Sequence, residues 1–225
     1  MKDLHFIELE LETSRLMEQK HFYAGLLQLP LVDETAESFT CQIGSSRLRF
    51  VSGFSVSPFH FAINIPSNQI EAARQWLHPE IAILPDGPNE IVFFESWNAH
   101  AIYFRDADGN IVELIARHKF GLDSDSEFGS NSFLHISEVG MPSASIEDLF
   151  LALNAKLYLP LYSGNYKRFC AAGTERGLFI LVDQAKKQWF PTEIQALPVD
   201  FKLKLQQEQD VFALIYSDGK VRFEE

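Results

Sequence analysis

Three times along this 225-residue chain, a short alternating strand runs straight into a helix that opens on Ser or Thr. The first copy is Glu8–Thr13 followed by Ser14–Leu27, the second His60–Pro66 followed by Ser67–Leu77, and the third Glu138–Pro142 followed by Ser143–Ala155. A repeat of this kind constrains the fold more than local propensity does, because repeated units bury their apolar faces against one another. In each strand the apolar residues alternate: Leu9 and Leu11, then Phe61, Ile63 and Ile65, then Val139 and Met141. Period two means one packed face and one face open to something else. Ser and Thr are favoured N-caps because their oxygen accepts from backbone N–H groups that the first turn leaves free, so each should start its helix.

Short strands with turn punctuation follow the helices. Phe39–Ile43 and Arg47–Val51 flank Gly44-Ser45-Ser46, a hairpin signal. Ile91–Glu95, His100–Asp106 and Asn110–Arg117 follow the second helix, with Asp106-Ala107-Asp108-Gly109 as the last turn. Residues 4–52 and 58–117 therefore each read as βαβββ, and residues 118–132, polar and rich in Gly and Ser, as a linker. Residues 133–225 read as a degenerate third unit with strands at Leu178–Val182, Phe201–Leu205 and Val211–Tyr216. The expected class is α+β: paired βαβββ modules of residues 1–117 form a cupped mixed sheet with helices outside, and a related module follows.

Charge and cysteine usage narrow the partners. Lys and Arg number 19 against 31 Asp and Glu, a net charge of -12, and such a surface repels phosphate backbones and anionic lipid. No apolar run approaches the ~18 residues of a membrane span, and no signal-peptide core follows the first residues. Cys41 and Cys170 stand far apart with no CxxC, which excludes a disulfide framework or zinc knuckle and fits a reducing cytoplasm. The expected partner is a small molecule, with neither nucleic acid nor membrane. Phe occurs 20 times, a composition suited to strands and aromatic-lined cavities.

Paired βαβββ units, with a His on the first strand of one unit and a Glu on its last, resemble the vicinal oxygen chelate superfamily. Its members include glyoxalase I, extradiol ring-cleaving dioxygenases, and fosfomycin and bleomycin resistance proteins. Tyr103-Phe-Arg-Asp-Ala-Asp-Gly-Asn-Ile-Val-Glu113 is similar to the family's last strand pair, and His21-Phe-Tyr-Ala-Gly-Leu-Leu-Gln-Leu-Pro30 to its first helix and exit. The resemblance covers residues 4–117 well, is weaker over 133–182 and is absent from the tail. It is specific for the fold and a poor guide to the reaction.

The resemblance implies a cup holding a divalent metal ion (Fe, Mn, Ni or Zn) on His and carboxylate side chains of first and last strands, with positions open to substrate oxygens. Carried over residue by residue, the ligands are His60 and Glu113, with Glu8 or His5 as the third. Parity puts His5 with Ile7, Leu9 and Leu11 on the apolar side and Glu8 with Phe6 and Glu10, and repeat alignment makes Glu8, His60 and Glu138 equivalent. Glu8 is preferred; a bulge in the first strand would reverse the choice. Arg49 stands where glyoxalase-type members carry a carboxylate, and it either pairs with Glu8 or clamps a substrate carboxylate. Glu10 and Asn64 share the open faces and join Arg49 as substrate-contacting candidates. Tyr103, ten residues before Glu113, is spaced like an active-site Tyr of extradiol dioxygenases, and Glu95 and His100 are candidate proton acceptors. The third unit should be metal-free: Leu178–Val182 is apolar, Glu138 lacks a partner carboxylate, and His135 has the wrong parity.

Two functions from different classes follow. One is a metal-dependent dioxygenase, lyase or isomerase that chelates two oxygens of a small organic substrate. The other is a metal-free cup that sequesters an aromatic or cationic compound, as in bleomycin resistance proteins. A third expectation is a homodimer formed through an unpaired sheet edge of residues 133–225.

Overall fold

In the computed structural model, which describes residues 3–54 and 58–224, each repeat folds as a βαβββ unit. Unit one is β1 (Leu4–Thr13), α1 (Leu16–Lys20), which runs on into a π-helical turn (His21–Leu26), and strands β2 (Leu31–Glu34), β3 (Ser38–Ile43) and β4 (Ser46–Ser52). Unit two is β5 (His60–Ile65), α2 (Ile70–Leu77), β6 (Ile83–Leu84), β7 (Val92–Phe94), β8 (Ala99–Arg105) and β9 (Ile111–Arg117). Unit three is complete: β10 (His135–Ser143), α3 (Ile146–Leu157), β11 (Leu161–Asn165), β12 (Phe169–Thr174) and β13 (Gly177–Asp183). The tail adds β14 (Phe201–Gln207), β15 (Asp210–Ser217) and β16 (Lys220–Phe223), three strands in sequence with no helix among them.

Within each unit the first and last strands run parallel: β1 with β4, β5 with β9, β10 with β13. Between units the first strands pair antiparallel, β5 with β10 and β1 with β14. One sheet is therefore ordered β16-β15-β14-β1-β4-β3-β2 and the other β11-β12-β13-β10-β5-β9-β8-β6, with β7 on β8. This corrects the expectation that units one and two share a cup. Units two and three share one sheet, and unit one pairs with the tail. The third unit is not degenerate: β10 pairs with β5 and β14 with β1, and the sheet edges that residues 133–225 contribute are β11 and β16. All the first strands carry the same alternation, which selects the buried face and leaves the neighbour open.

One apolar cluster joins the two sheets and the helices. It takes Phe6, Leu9 and Leu11 from β1, Phe61 and Ile63 from β5, and Val139 and Met141 from β10. Each such side chain contributes about 1.5–3 kcal/mol on burial. The repeat includes a bulge: register slips between Phe6 and Glu8 in β1 and between Ile136 and Glu138 in β10. The extra residue reverses parity, so His5 falls on the side of Glu8, and His135 on the side of Glu138. Both parity assignments made from strict alternation are thereby corrected.

The caps also differ from expectation. Only α3 has a serine cap, with Ser145 Oγ accepting from Asp148 N at 3.2 Å. Helix α1 starts after Arg15 and α2 after Gln69, neither with a side-chain cap. Ser67 Oγ instead donates to Arg117 O at 2.9 Å and accepts from Leu122 N at 3.2 Å, which ties down the start of the linker. The turn after β8 is a staple between units. Asp106, buried, accepts from Gln19 Nε2, Tyr23 Oη and Asn110 Nδ2 at 2.8–2.9 Å, while Asn110 Oδ1 accepts from Phe59 N at 2.8 Å. No helix of the described residues is long and apolar enough to cross a membrane.

Candidate metal centre

Three buried side chains from three strands converge on the face of the second sheet that points away from the main core. His60 comes from β5, Glu113 from β9 and Glu138 from β10, and one ligand atom of each lies within 4.8 Å of the others. The ladder explains this: Ala62 pairs with Glu113 on one side and with Glu138 on the other, so the two carboxylates flank the strand that carries His60. His60 Nδ1 lies 3.0 Å from Ile111 O, which makes Nδ1 the protonated nitrogen and leaves the Nε2 lone pair 3.6 Å from Glu113 Oε2. Burial lowers the His60 pKa to about 4, with the charge of Lys187 adding to it and the bond to Ile111 opposing it. The imidazole is therefore neutral at pH 7, and its contact with Glu113 is not an ion pair.

The carboxylates are shifted the other way. Burial pushes Glu113 well above the usual carboxylate range, and the charge of Glu138 adds to this, while Tyr103 and Arg117 oppose it. Glu138 is raised by burial against the pull of Arg117, whose Nη2 it accepts. Tyr103 stands directly opposite Glu113 on the neighbouring strand, and burial keeps its phenol protonated. Arg117 continues the polar row. Its Nε donates to Asn64 Oδ1 at 3.2 Å, and Asn64 Nδ2 donates to His135 Nε2 at 3.0 Å. The guanidinium lies over the Trp97 ring at 5.3 Å.

His60, Glu113, Glu138 and Tyr103 line a cavity of about 340 Å³. Its walls are aromatic: Phe94, Trp97, Tyr103, Phe169, Trp189 and Phe190. Trp189 and Phe190 belong to the connection between β13 and β14, which folds over the cup. The Trp189 ring lies 5.2 Å from His60, and Phe190 lies 5.3 Å from Tyr103. One neutral imidazole and two carboxylates form the mixed N/O set that suits first-row divalent ions. By donor chemistry, the residues fit a divalent metal.

The other site residues expected from sequence lie elsewhere. Glu8, Glu10 and Arg49 are on the β1 sheet, where Arg49 Nε meets Glu10 Oε2 at 3.2 Å and Lys204 approaches Glu8 at 3.7 Å. Glu8 does not join His60 and Glu113, because β1 pairs with β14 and not with β5. His5 points its Nε2 at Ser45 O, 3.2 Å away. Glu95 is exposed, and its neighbours Ser96 and Trp97 reach the cavity instead. His100 lies on the opposite face of β8 from Tyr103, 2.7 Å from His118 Nε2 and stacked on Phe93. Asn64 does face inward, but it orients Arg117 and His135 and is not in the cavity wall. Sequence reasoning missed Glu138, Arg117, Lys187 and Trp189. Repeat alignment had already put Glu138 level with His60; only the choice of partner unit hid it.

No family model matches the chain, and no curated protein matches it in sequence. Among solved structures, a candidate dioxygenase from Bacillus subtilis superimposes with a TM-score of 0.61 at 14% identity, covering 81% of this chain and 64% of its own. Glyoxalase I from Zea mays superimposes with a TM-score of 0.54 at 13% identity, covering 80% and 66%. The chain has the vicinal oxygen chelate fold. It matches a little under two thirds of the length of each of these two proteins. Within the vicinal oxygen chelate fold the pairing of β5 with β10 makes the cup, and the Glu-bearing segment Tyr103–Glu113 belongs to it.

Proposed function

We propose that the cup of units two and three binds one divalent metal ion on His60, Glu113 and Glu138 and acts as an enzyme on a small organic substrate that offers two adjacent oxygens. The observation that carries this reading is the convergence of three buried ligand atoms, from three strands, in the wall of an aromatic cavity. A divalent ion held there would polarise the substrate oxygens and stabilise negative charge developing on them. Tyr103, protonated, donates its hydroxyl proton to the Glu113 carboxylate and so orients that side chain in the cup. Trp189 and Phe190 lay apolar rings against His60 and Tyr103, and such a low-dielectric wall strengthens the electrostatic contacts beside it. Arg117 holds Glu138 in place from behind. Dioxygenase, lyase and isomerase chemistry are all compatible with this arrangement.

The test is elemental analysis of protein purified without chelator and then reconstituted with Fe, Mn, Ni or Zn. About one ion per chain is expected in wild type, and none in His60→Ala. Wild type that takes up no ion would sink the proposal. One observation favours a second reading, a metal-free binding protein: Arg117 already occupies an oxygen of Glu138. That reading expects ligand binding that is indifferent to chelators.

A further inference from the structure

Among the described residues, one cation is hydrogen-bonded to a ligand of the proposed metal site. Arg117 Nη2 donates to Glu138 Oε1, and the two side chains are 1% and 4% exposed. At that burial water screens the guanidinium little, and its charge reaches the whole cup. It opposes the upward pull of burial on Glu138 and, without touching it, on Glu113. In the empty cup Arg117 therefore does for the carboxylates what a bound ion does in a full one.

The guanidinium is also pinned. Its Nε donates to Asn64 Oδ1 at 3.2 Å, and Asn64 is itself fixed, its Nδ2 donating to His135 Nε2 at 3.0 Å and to Glu175 O at 3.1 Å. The Trp97 ring covers it at 5.3 Å. Its Nη1 is buried with no acceptor, and Glu138 is its one ion-pair partner among the described residues. Giving up Glu138 would leave a second nitrogen of a buried cation without an acceptor, which is costly. An arriving ion therefore has to share Glu138 with a fixed positive charge, and two cations on one carboxylate repel each other.

We infer that Arg117 is a resident counter-ion that competes with the divalent ion for Glu138, so that the cup stays folded when empty and binds the ion less tightly than its three ligands alone would. The inference rests on the proposed metal site and adds what sets its occupancy. It differs in sign from a purely structural role. A residue that only positioned Glu138 would aid the ion, and its loss would weaken binding.

The test is calorimetric titration of the metal-free full chain with Mn²⁺ and with Zn²⁺, with His60→Ala as the blank for ions bound elsewhere. Arg117→Gln keeps a neutral donor at this position and should bind either ion about tenfold or more tightly than wild type. Arg117→Lys keeps the charge and should stay within about threefold of wild type. Thermal melts give a second readout. Stripped of ion, Arg117→Gln and Arg117→Met should melt below wild type, and saturation with Mn²⁺ should raise their melting temperatures by more than it raises that of wild type. Should Arg117→Met fail to fold, Arg117→Gln carries the test. Arg117→Gln binding the ion no more tightly than wild type, or Arg117→Lys binding it as tightly as Arg117→Gln, would overturn the inference and leave the metal site standing. An ion taken up by Arg117→Gln but not by wild type would support the inference and overturn the metal reading of wild type. No ion in any variant would overturn both.

Discussion

On the sheet of β1, Glu10 meets Lys202 at 2.9 Å and Arg49 at 3.2 Å, and Glu8 meets Lys204 at 3.7 Å, all with water beside them. On the sheet of β5, Glu113 and Glu138 meet each other and a neutral His60, with their side chains about 5% exposed. The same repeat supplied both faces. The difference is the cover: the connection from β13 to β14 lays Trp189 and Phe190 against the second sheet, and charges that are inexpensive on one sheet are costly to bury on the other. A polar open face is therefore not yet a site. It becomes one where a lid turns parity into burial.

The sharpest break of this comparison is metal uptake by paired variants. Glu138→Gln should lose the ion that wild type retains, while Glu8→Gln, its repeat equivalent, should keep it in full by elemental analysis. Equal loss in both would return the site to the first unit. Next in size is the loss of a cation. Arg117→Met leaves Glu138 buried and unpaired and should cost about 3–5 kcal/mol in chemical denaturation. Arg49→Met removes pairs that are about a quarter to half exposed and should cost about 0–1 kcal/mol.

The pH response should separate the two faces as well. The unfolded chain protonates its histidines below about 6.5, whereas folded His60 resists until about 4, so native stability is lost as pH falls through that window. In metal-free buffer the advantage of wild type over His60→Asn should shrink by roughly 3 kcal/mol between pH 6.5 and 4. A constant difference across that range would contradict the burial of a neutral imidazole. The smallest effects concern two glycines. Gly140→Ala drives a methyl group into the Trp189 ring and towards His60 O at 3.1 Å and should cost about 1–3 kcal/mol. Gly53→Ala has the Glu12 side chain as its nearest neighbour, which can swing aside at the loss of a 3.3 Å bond from Phe54 N, and should cost about 0.5–1 kcal/mol, as read by thermal melts.

Much of the fold was legible. The alternation in His60–Ile65 and in Ile111–Arg117 placed His60 and Glu113 opposite the packed face, and the turn at Asp106–Asn110 set Tyr103 across from Glu113. Strict alternation failed at Ile7 and Ser137, where a bulge adds a residue that no propensity announces. The caps failed at Ser14, Ser67 and Ser143: Ser67 Oγ serves the linker and the end of β9, and the cap of α3 falls two residues on, at Ser145. Glu138 was dismissed because its own unit lacks a carboxylate on β13. Its partners come from the unit next door.

The residues alone thus determined the repeat, the buried face of the strands that carry no bulge, and the placing of His60 and Glu113 on one open face, because periodicity and turns act over a few neighbouring positions. Which unit pairs with which, the arrival of Glu138 beside His60 and Glu113, and the segment that walls the cavity were decided only in three dimensions. Four first strands of similar pattern offer interchangeable edges, and the free energy that chooses among them comes from packing two sheets into one core.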